Sequence, residues 1–140
     1  MEQQIPSCFY RISAKALILD KEKKFLLNKE DNGRWEFPGG GLDRGENPQE
    51  GIARELQEEM NIHAKKVSDT PAYFVTSKNL KDFRIANVLY ETLIDEGELA
   101  HITPSEECVE IGFFTKEEAK KLDLYPNVEE FLKVFNPDNH

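Results

Sequence analysis

The sequence predicts an α/β fold of the α+β kind, with helices packed on the faces of a mixed central β-sheet. Segments rich in β-branched and aromatic residues alternate with polar turns along the chain, which is typical of strands. Three predicted helices are separated along the chain, which favours helices covering a sheet. The length of 140 residues is expected to give one domain, residues 1–140.

Two apolar segments near the start, residues 9–19 and 24–28, are expected to pair as a hairpin across the polar turn between them. A short extended piece is expected at residues 35–37. The following Pro38-Gly39-Gly40-Gly41 is interpreted as a loop, because glycines leave the backbone open to close approach. Three more strands are predicted at residues 65–76, 84–93 and 109–114.

The first helix is predicted to begin after Asn47, an N-cap residue followed by proline, and to run to about residue 60. Its apolar residues recur four apart, at positions 52, 56 and 60. Asn61 is expected to end the helix in a left-handed conformation, which asparagine tolerates. A second helix is expected at residues 115–122, where Thr115 and Glu118 form a capping box. A third helix is expected at residues 126–135, followed by a frayed tail at residues 136–140.

The chain is acidic, with 27 Asp and Glu against 18 Lys and Arg and a formal net charge of −9. A protein that binds a nucleic-acid duplex through its phosphates needs a basic surface, so the composition argues against that partner. A small anionic substrate is compatible with the charge, because a bound divalent cation reverses the local sign. The sequence shows no segment typical of a membrane span or a secretory leader, so we expect a cytoplasmic protein with no membrane partner. Cys8 and Cys108 are its two cysteines, and we expect both to be reduced thiols.

The first helix carries a cluster of carboxylates at positions that share one side. Glu55 lies three and four residues before Glu58 and Glu59, and Arg54 is the one cation within reach. Three convergent carboxylates suit a hard divalent cation. The alternative is a solvated acidic surface, which is what charge runs usually form. The glycine-rich segment at a fixed distance before the helix favours the metal site.

These residues resemble a known family motif. Gly40, Glu46, the run Arg54-Glu55-Leu56-Gln57-Glu58-Glu59 and Ile62 have the spacing of the Nudix box, with Asn61 where the family has glycine. Residues 33–40 are similar to the segment that precedes the box in many members, and residues 112–119 resemble the late strand and following helix. The resemblance implies a Nudix-type α/β/α sandwich.

The resemblance also implies a division of roles among the matched residues. Glu58 and Glu59 are expected to bind Mg²⁺, for which Mn²⁺ can substitute, with Glu55 as a further ligand or as the group that activates water. The carbonyl of Gly40, or that of Gly39, is expected to add a backbone ligand. Glu46 and Arg54 are interpreted as a supporting pair in which the arginine holds carboxylates in place.

The resemblance leaves two places for the general base, because family members use either a glutamate of the first helix or one from a later loop. Among Glu106, Glu107 and Glu110, we predict Glu107, although a solvent-facing acidic loop is the alternative for each. Trp35 is a weak candidate for stacking on a base, and the alternative is a structural role. His63 and His101 are assigned no role.

The function predicted on this basis is Mg²⁺-dependent hydrolysis of a nucleoside diphosphate linked to another group. A nucleoside or deoxynucleoside triphosphate is the first choice of substrate. ADP-ribose or another nucleotide-sugar and dinucleoside polyphosphates are the alternatives. A non-catalytic nucleotide-binding module is disfavoured, because such a module would be expected to have lost the glutamates. The sequence leaves the oligomeric state open, and a homodimer is compatible with it.

Overall fold

A computed structural model describes Ser7 and residues 9–140 of the chain. The thiol predicted at Cys8 lies outside the described residues. The strands of this part of the chain are β1 Arg11–Leu17, β2 Phe25–Lys29, β3 Trp35–Glu36, β4 Gly39–Gly41, β5 Lys66–Val67, β6 Tyr73–Lys78, β7 Arg84–Leu93 and β8 Glu110–Phe114. Its α-helices are α1 Pro48–Met60, α2 Lys116–Ala119 and α3 Pro126–Leu132, and two 3₁₀ helices are Glu96–His101 and Pro137–Asn139.

The larger of two sheets is mixed and is centred on β1. This strand runs parallel to β7 along one edge and antiparallel to β4 along the other. The far edge of β7 pairs antiparallel with β6 and, near its end, with β5. In the smaller sheet, β2 lies between β3 and β8, and both pairings are antiparallel. The predicted fold class, a mixed sheet with helices on its faces, is confirmed.

Two apolar cores lie on opposite faces of β1, as the alternation of side chains along a strand requires. Ala14 and Ala16 pack in the core beneath α1, whereas Leu17 belongs to the core beneath α3. On α1 the stripe of Ile52, Leu56 and Met60 is fully buried. Burial of this stripe fixes the rotation of α1 about its axis, and the glutamates therefore have defined positions.

The core beneath α3 is built from aromatic rings around Phe131. Its ring meets those of Phe25, Phe37 and Tyr73 edge-on, at centroid distances of 5.2, 4.7 and 5.3 Å. Edge-to-face contacts at this range are favourable beyond their buried area. The rings join α3 to both sheets and hold the two sheets together.

The hairpin predicted for residues 9–19 and 24–28 forms only beside its turn. Leu19 and Phe25 make one antiparallel bridge, with the N–H of Leu26 bonded to the carbonyl of Ile18, and the strands then separate. Both edges of β1 are already occupied by β4 and β7, so β2 pairs in the other sheet. The strand predicted at residues 65–76 is likewise two strands, β5 and β6, which pair with successive parts of β7.

Two further expectations are corrected. The glycine-rich segment is not a loop, because Gly39–Gly41 forms the edge strand β4. The tail expected to fray is packed instead. The ring of His140 stacks on Phe135 at 5.7 Å, and its Nε2 lies 2.7 Å from the hydroxyl of Tyr73. These contacts between distant residues depend on the tertiary fold and leave no local pattern.

Among the described residues, no helix has the length and apolarity needed to cross a membrane.

Helix α1 ends as predicted, with Asn61 in the left-handed conformation at φ 54° and ψ 40°. We expect Asn61→Ala to lower the free energy of unfolding by about 1 kcal/mol, because alanine pays the full steric cost of this conformation. Asn61→Gly is expected to stay within about 0.5 kcal/mol of the unchanged protein, since glycine adopts it freely. Urea denaturation of the two variants measures the difference, and equal stabilities would contradict the expectation.

Candidate active site

The site is organised by α1, whose start is fixed by its cap. The side chain of Asn47 accepts a hydrogen bond from the backbone N–H of Glu50 at 2.8 Å, and Pro48 occupies the first turn. This pairing satisfies one of the backbone donors that a helix start leaves open. With the apolar stripe buried, the side chains of Glu55 and Glu59 are directed towards strand β4.

Glu59 is the most buried of the three clustered glutamates, and 6% of its surface is exposed. One carboxylate oxygen, Oε1, accepts the backbone N–H of Gly39 at 2.9 Å. Burial raises the pKa of Glu59 well above its usual range, and Lys15 and the Gly39 N–H only partly oppose this effect. A carboxylate in this position gains from a nearby cation that replaces the lost hydration.

Arg54 holds the other carboxylates of the cluster. Its guanidinium donates two hydrogen bonds to Glu46, at 2.8 and 2.9 Å. It also donates to Oε1 of Glu55 at 2.9 Å, to Oε2 of Glu58 at 3.2 Å and to the carbonyl of Gly41 at 3.2 Å. The rigid fork of donors suits this arrangement. The supporting role predicted for Glu46 and Arg54 is consistent with these contacts.

The pairing with Arg54 also determines the ionisation of Glu46. Hydrogen bonding to Arg54, with a smaller contribution from the N–H of Asp43, lowers the pKa of Glu46 to about 2. The same contact raises the pKa of Arg54. Because the pKa of Glu46 is depressed in the folded protein, its contribution to stability is complete above its ordinary pKa and is lost as the pH falls through about 2.

Strand β4 lies so close to β1 that a side chain is excluded at Gly39, and at Gly40 it lies close to the carboxylate of Glu55. A Cβ on Gly39, whose φ is +123°, would lie 2.3 Å from the carbonyl oxygen of Ala14. A Cβ on Gly40 would lie 3.1 Å from the carboxyl carbon and Oε1 of Glu55. Glycine is therefore required at Gly39, whereas a Cβ at Gly40 would need the carboxylate of Glu55 to shift by a few tenths of an ångström.

The loop that carries Glu107 lies beside the buried end of the cluster. Asn28 donates from Nδ2 to the carbonyl of Glu107 at 2.9 Å, and Ser105 Oγ donates to the carbonyl of Glu59 at 3.4 Å. The negative charge of Glu107 is close enough to raise the pKa of Glu59. Glu110 pairs with Lys29 at 3.8 Å instead. Of the three candidates for the base, Glu107 is the one linked electrostatically to the cluster, and its role stays a prediction.

Trp35 lies in the apolar core, 7% exposed, with its ring edge-on to Phe114 at 5.1 Å. This placement favours the structural role over stacking on a base. Cys108 is a buried thiol whose pKa burial raises to about 11.

The sequence did not single out Lys15, Glu36 or Asn127, which the structure places together near β4. The ammonium of Lys15 lies 3.2 Å from the carbonyl of Gly39 and 3.7 Å from Oε2 of Glu36. Asn127 donates to Oε1 of the same carboxylate at 2.6 Å. A signal for one of them existed, because Lys15 interrupts the apolar run of β1, where an unpaired charge would be costly.

The donor set at α1 fits a hard divalent cation. It offers three carboxylates, one of them buried, and the backbone of β4 beside them. Within the part of the chain that the structure describes, no group of three acidic, histidine or cysteine side chains is already arranged to hold a metal. Glu55 and Glu58 are bonded to Arg54, so their oxygens would have to turn from it to become ligands.

Comparison with known proteins agrees with the geometry. The family model described as NUDIX domain matches residues 9–135. The chain belongs to the Nudix family. Among solved structures, this Nudix protein resembles a MutT protein from Methanosarcina mazei Go1, with 24% identity, a TM-score of 0.69 and coverage of 93% of this chain and 95% of that one. It also resembles the ORF135 protein of E. coli, with 22% identity, a TM-score of 0.73 and coverage of 95% and 93%. These likenesses show the fold.

A relative in sequence is a MutT-like protein of Streptomyces ambofaciens, 32% identical over 72 residues that cover 51% of this chain and 47% of that protein. A second is putative 8-oxo-dGTP diphosphatase 3 of Mycobacterium tuberculosis, 31% identical over 97 residues that cover 67% of this chain and 43% of that protein. The matches thus span less than half the length of these relatives.

Proposed function

We propose that this Nudix protein is a Mg²⁺-dependent pyrophosphohydrolase that cleaves a nucleoside diphosphate linked to another group. The observation that carries the proposal is the contact between α1 and β4. There the buried carboxylate of Glu59 accepts a hydrogen bond from the N–H of Gly39, and the carboxylate of Glu55 lies beside Gly40. Carboxylates held at a backbone strand are the ligands expected for Mg²⁺, which takes a few carboxylates and keeps several waters.

The protein's own groups have distinct tasks in this reaction. Glu58 and Glu59, with Glu55 and the carbonyl of Gly40, would hold the cation. When bound, the cation supplies charge neutralisation of the diphosphate and acidification of water. Arg54 is itself held by two hydrogen bonds to Glu46, which is not a proposed ligand. Those bonds would keep Arg54 in place when Glu55 and Glu58 turn towards the cation.

Glu107 is proposed as the general base. Its carboxylate would take a proton from the attacking water as the new oxygen–phosphorus bond forms and the bridging oxygen–phosphorus bond breaks. Its placement beside Glu59 supports this assignment, since the base and the metal ligands must act on one water. The hydrogen bond from Asn28 to its carbonyl holds the loop in place.

A nucleoside or deoxynucleoside triphosphate is proposed as the substrate. The segment Trp35-Glu36-Phe37-Pro38-Gly39-Gly40 resembles family members that act on such compounds, and one relative is named an 8-oxo-dGTP diphosphatase. Another relative, 52% identical over 33 residues, is named RNA pyrophosphohydrolase. ADP-ribose, other nucleotide-sugars and dinucleoside polyphosphates are the alternatives.

We further propose that residues 1–140 form one cytoplasmic domain.

The test is a screen of these compound classes with Mg²⁺, with Mn²⁺ and after removal of divalent cations. We expect release of phosphate or pyrophosphate from at least one class, and its loss on chelation, because the diphosphate charge is then uncompensated. Restoration by added Mg²⁺ is the control for damage by the chelator. Turnover that persists without divalent cations would contradict the metal site, and the absence of turnover with every class would favour a binding module.

Arg54→Lys is expected to lower Mn²⁺ affinity and the hydrolysis rate by about 10- to 100-fold. Lysine keeps the charge, but it cannot donate to Glu46, Glu55 and Glu58 at once from a planar fork. Mn²⁺ binding followed by electron paramagnetic resonance measures the first effect. Arg44→Lys, an exposed arginine just before the helix, is the matched control. Equal behaviour of the two variants would show that Arg54 has no special part.

A further inference from the structure

Asn28 is a polar side chain on strand β2, and none of its surface is exposed. Side chains alternate between the two faces of a strand. Asn28 therefore projects to the same face as Leu26, which packs in the core beneath α1, whereas Leu27 packs in the core beneath α3. An amide thus occupies a place in the apolar core on which the proposed metal site is built.

The hydrogen bonds of this amide are incomplete. Its Nδ2 donates to the backbone carbonyl of Glu107 at 2.9 Å. Because this contact requires the nitrogen of Asn28 to face the carbonyl, the amide oxygen Oδ1 has to point elsewhere in the core. Among the described residues, Oδ1 of Asn28 is the one buried side-chain nitrogen or oxygen that has no hydrogen-bond partner.

An unpaired oxygen of this kind lowers the stability of the folded protein. Burial removes its hydrogen bonds to water, and no donor from the described residues replaces them. The bond from Asn28 to Glu107 offsets little of this loss, because Glu107 is exposed and its carbonyl can bind water instead. Leucine has a similar volume and no polar atom to bury. The stability of the fold therefore gives no reason for an amide at position 28.

The bond from Asn28 does have a local effect, because it holds the tight turn that carries Glu107. Ser105 and Cys108 exchange backbone hydrogen bonds of 3.0 and 3.2 Å across this turn. The carbonyl held by Asn28 belongs to the peptide after Glu107, so its direction sets the rotation of Glu107 about its Cα–C bond. A second attachment is the hydroxyl of Ser105, which donates to the carbonyl of Glu59 at 3.4 Å. The turn is thus held between β2 and the end of α1.

We propose that Asn28 is a positioning residue for the general base, and that its amide nitrogen holds the peptide of Glu107 so that the carboxylate stays beside Glu59. The inference rests on the proposed function, because Glu107 is a base only if the protein is a hydrolase. It deepens that function by adding a residue of β2, and it explains why an oxygen is left unpaired in the core. Asn28 acts through Glu107 and contacts neither substrate nor cation.

Asn28→Leu removes both the donor and the unpaired oxygen. We expect kcat to fall about 10- to 100-fold, as small misplacements of a reacting group cause, while KM and Mn²⁺ affinity stay within about twofold. The unfolding temperature is expected to stay the same or to rise, because the unpaired oxygen is gone. Asn28→Val, a smaller residue that strands accept, carries the same expectation for kcat if leucine does not fit. Lower stability with an unchanged kcat would overturn the proposal, since the amide would then serve the fold.

Gln49→Leu is the matched control. Gln49 also donates from a side-chain amide to the backbone carbonyl of a loop residue, Ser68, at 2.9 Å. Neither residue belongs to the proposed site, so kcat of this variant is expected to stay within about twofold. Equal losses of kcat in Gln49→Leu and Asn28→Leu would overturn the proposal, because the loss of any such bond would then have the same effect.

A double-variant cycle tests whether Asn28 acts through Glu107. Once Glu107→Gln has removed the base, the position of this side chain no longer matters for proton transfer. Adding Asn28→Leu to Glu107→Gln is therefore expected to lower kcat by less than about twofold, whereas it lowers kcat of the unchanged protein about 10- to 100-fold. Additive losses would contradict the positioning role.

Hydrogen exchange gives a measurement that needs no substrate. The backbone N–H of Cys108 closes the turn on Ser105. We expect it to exchange about fivefold faster in Asn28→Leu, the factor for loss of one typical hydrogen bond, and at an unchanged rate in Gln49→Leu. Faster exchange, without turnover of any compound by the unchanged protein, would overturn the proposed function while supporting the hold of Asn28 on the turn. Unchanged exchange in an active enzyme would overturn the positioning role and leave the proposed function standing.

Discussion

Hydrolysis by the Glu58→Gln, Glu59→Gln double variant is expected to be at least about 100-fold slower than that of the unchanged protein. The double change removes two negative charges from the proposed Mg²⁺ site and keeps the shapes of the side chains. A catalytic cation supplies several kcal/mol of charge stabilisation, and each 1.4 kcal/mol corresponds to about a tenfold change in rate. The measurement is steady-state hydrolysis at several Mg²⁺ concentrations.

A matched pair of adjacent glutamates on another helix provides the control. Glu129→Gln with Glu130→Gln on α3 changes the net charge equally, and Glu130 contacts only Lys133 among the described side chains. This control is expected to keep its activity within about twofold, because surface pairs of this kind contribute little. If both double variants lose activity alike, net charge rather than metal binding is responsible.

Glu107→Gln is expected to lower kcat by about 10²- to 10⁴-fold, the usual contribution of a general base. Glutamine keeps the loop contact with Asn28, because that bond uses the backbone carbonyl of residue 107. Mn²⁺ affinity is therefore expected to change far less than kcat. Measuring both quantities on the same variant separates loss of a base from loss of a ligand.

Glu106→Gln and Glu110→Gln are the control variants, and their kcat values are compared with that of Glu107→Gln. Glu110 is paired with Lys29, and Glu106 contributes its carbonyl to the N–H of Asp31, so neither carboxylate is tied to the cluster. Both variants are expected to keep kcat within about threefold. A large loss in either, with Glu107→Gln unaffected, would move the proposed base to that residue.

The fold could be predicted as far as local patterns reach. The cap at Asn47, the apolar stripe of α1 and the left-handed end at Asn61 are properties of neighbouring residues, and the structure has each of them. Which strands pair could not be predicted. Competition for the edges of β1 sends β2 to another sheet, and nothing in residues 9–28 alone records the presence of β7.

The site divides in the same way. The three glutamates and Arg54 could be found because a helix fixes their relative positions, and Arg54 does reach Glu58. Lys15, Glu36 and Asn127 come from β1, β3 and α3, and only the folded chain brings them together. Their polar character is visible in the sequence. Their common location is not visible there, because it depends on contacts between residues far apart in the sequence, such as Glu36 and Asn127, which are 91 positions apart.

The backbone of Gly39 joins two regions that the sheet otherwise keeps apart. Its N–H is bonded to Glu59 on one side, and its carbonyl accepts from Lys15 on the other. The two bonds lie on adjacent peptide groups, since the N–H belongs to the peptide between Pro38 and Gly39 and the carbonyl to the peptide between Gly39 and Gly40. A shift of the Gly39 backbone therefore alters the contacts of Glu59 and of Lys15 together. A substitution at Lys15 on β1 is thus expected to change the surroundings of the buried carboxylate of Glu59 without altering any residue of α1.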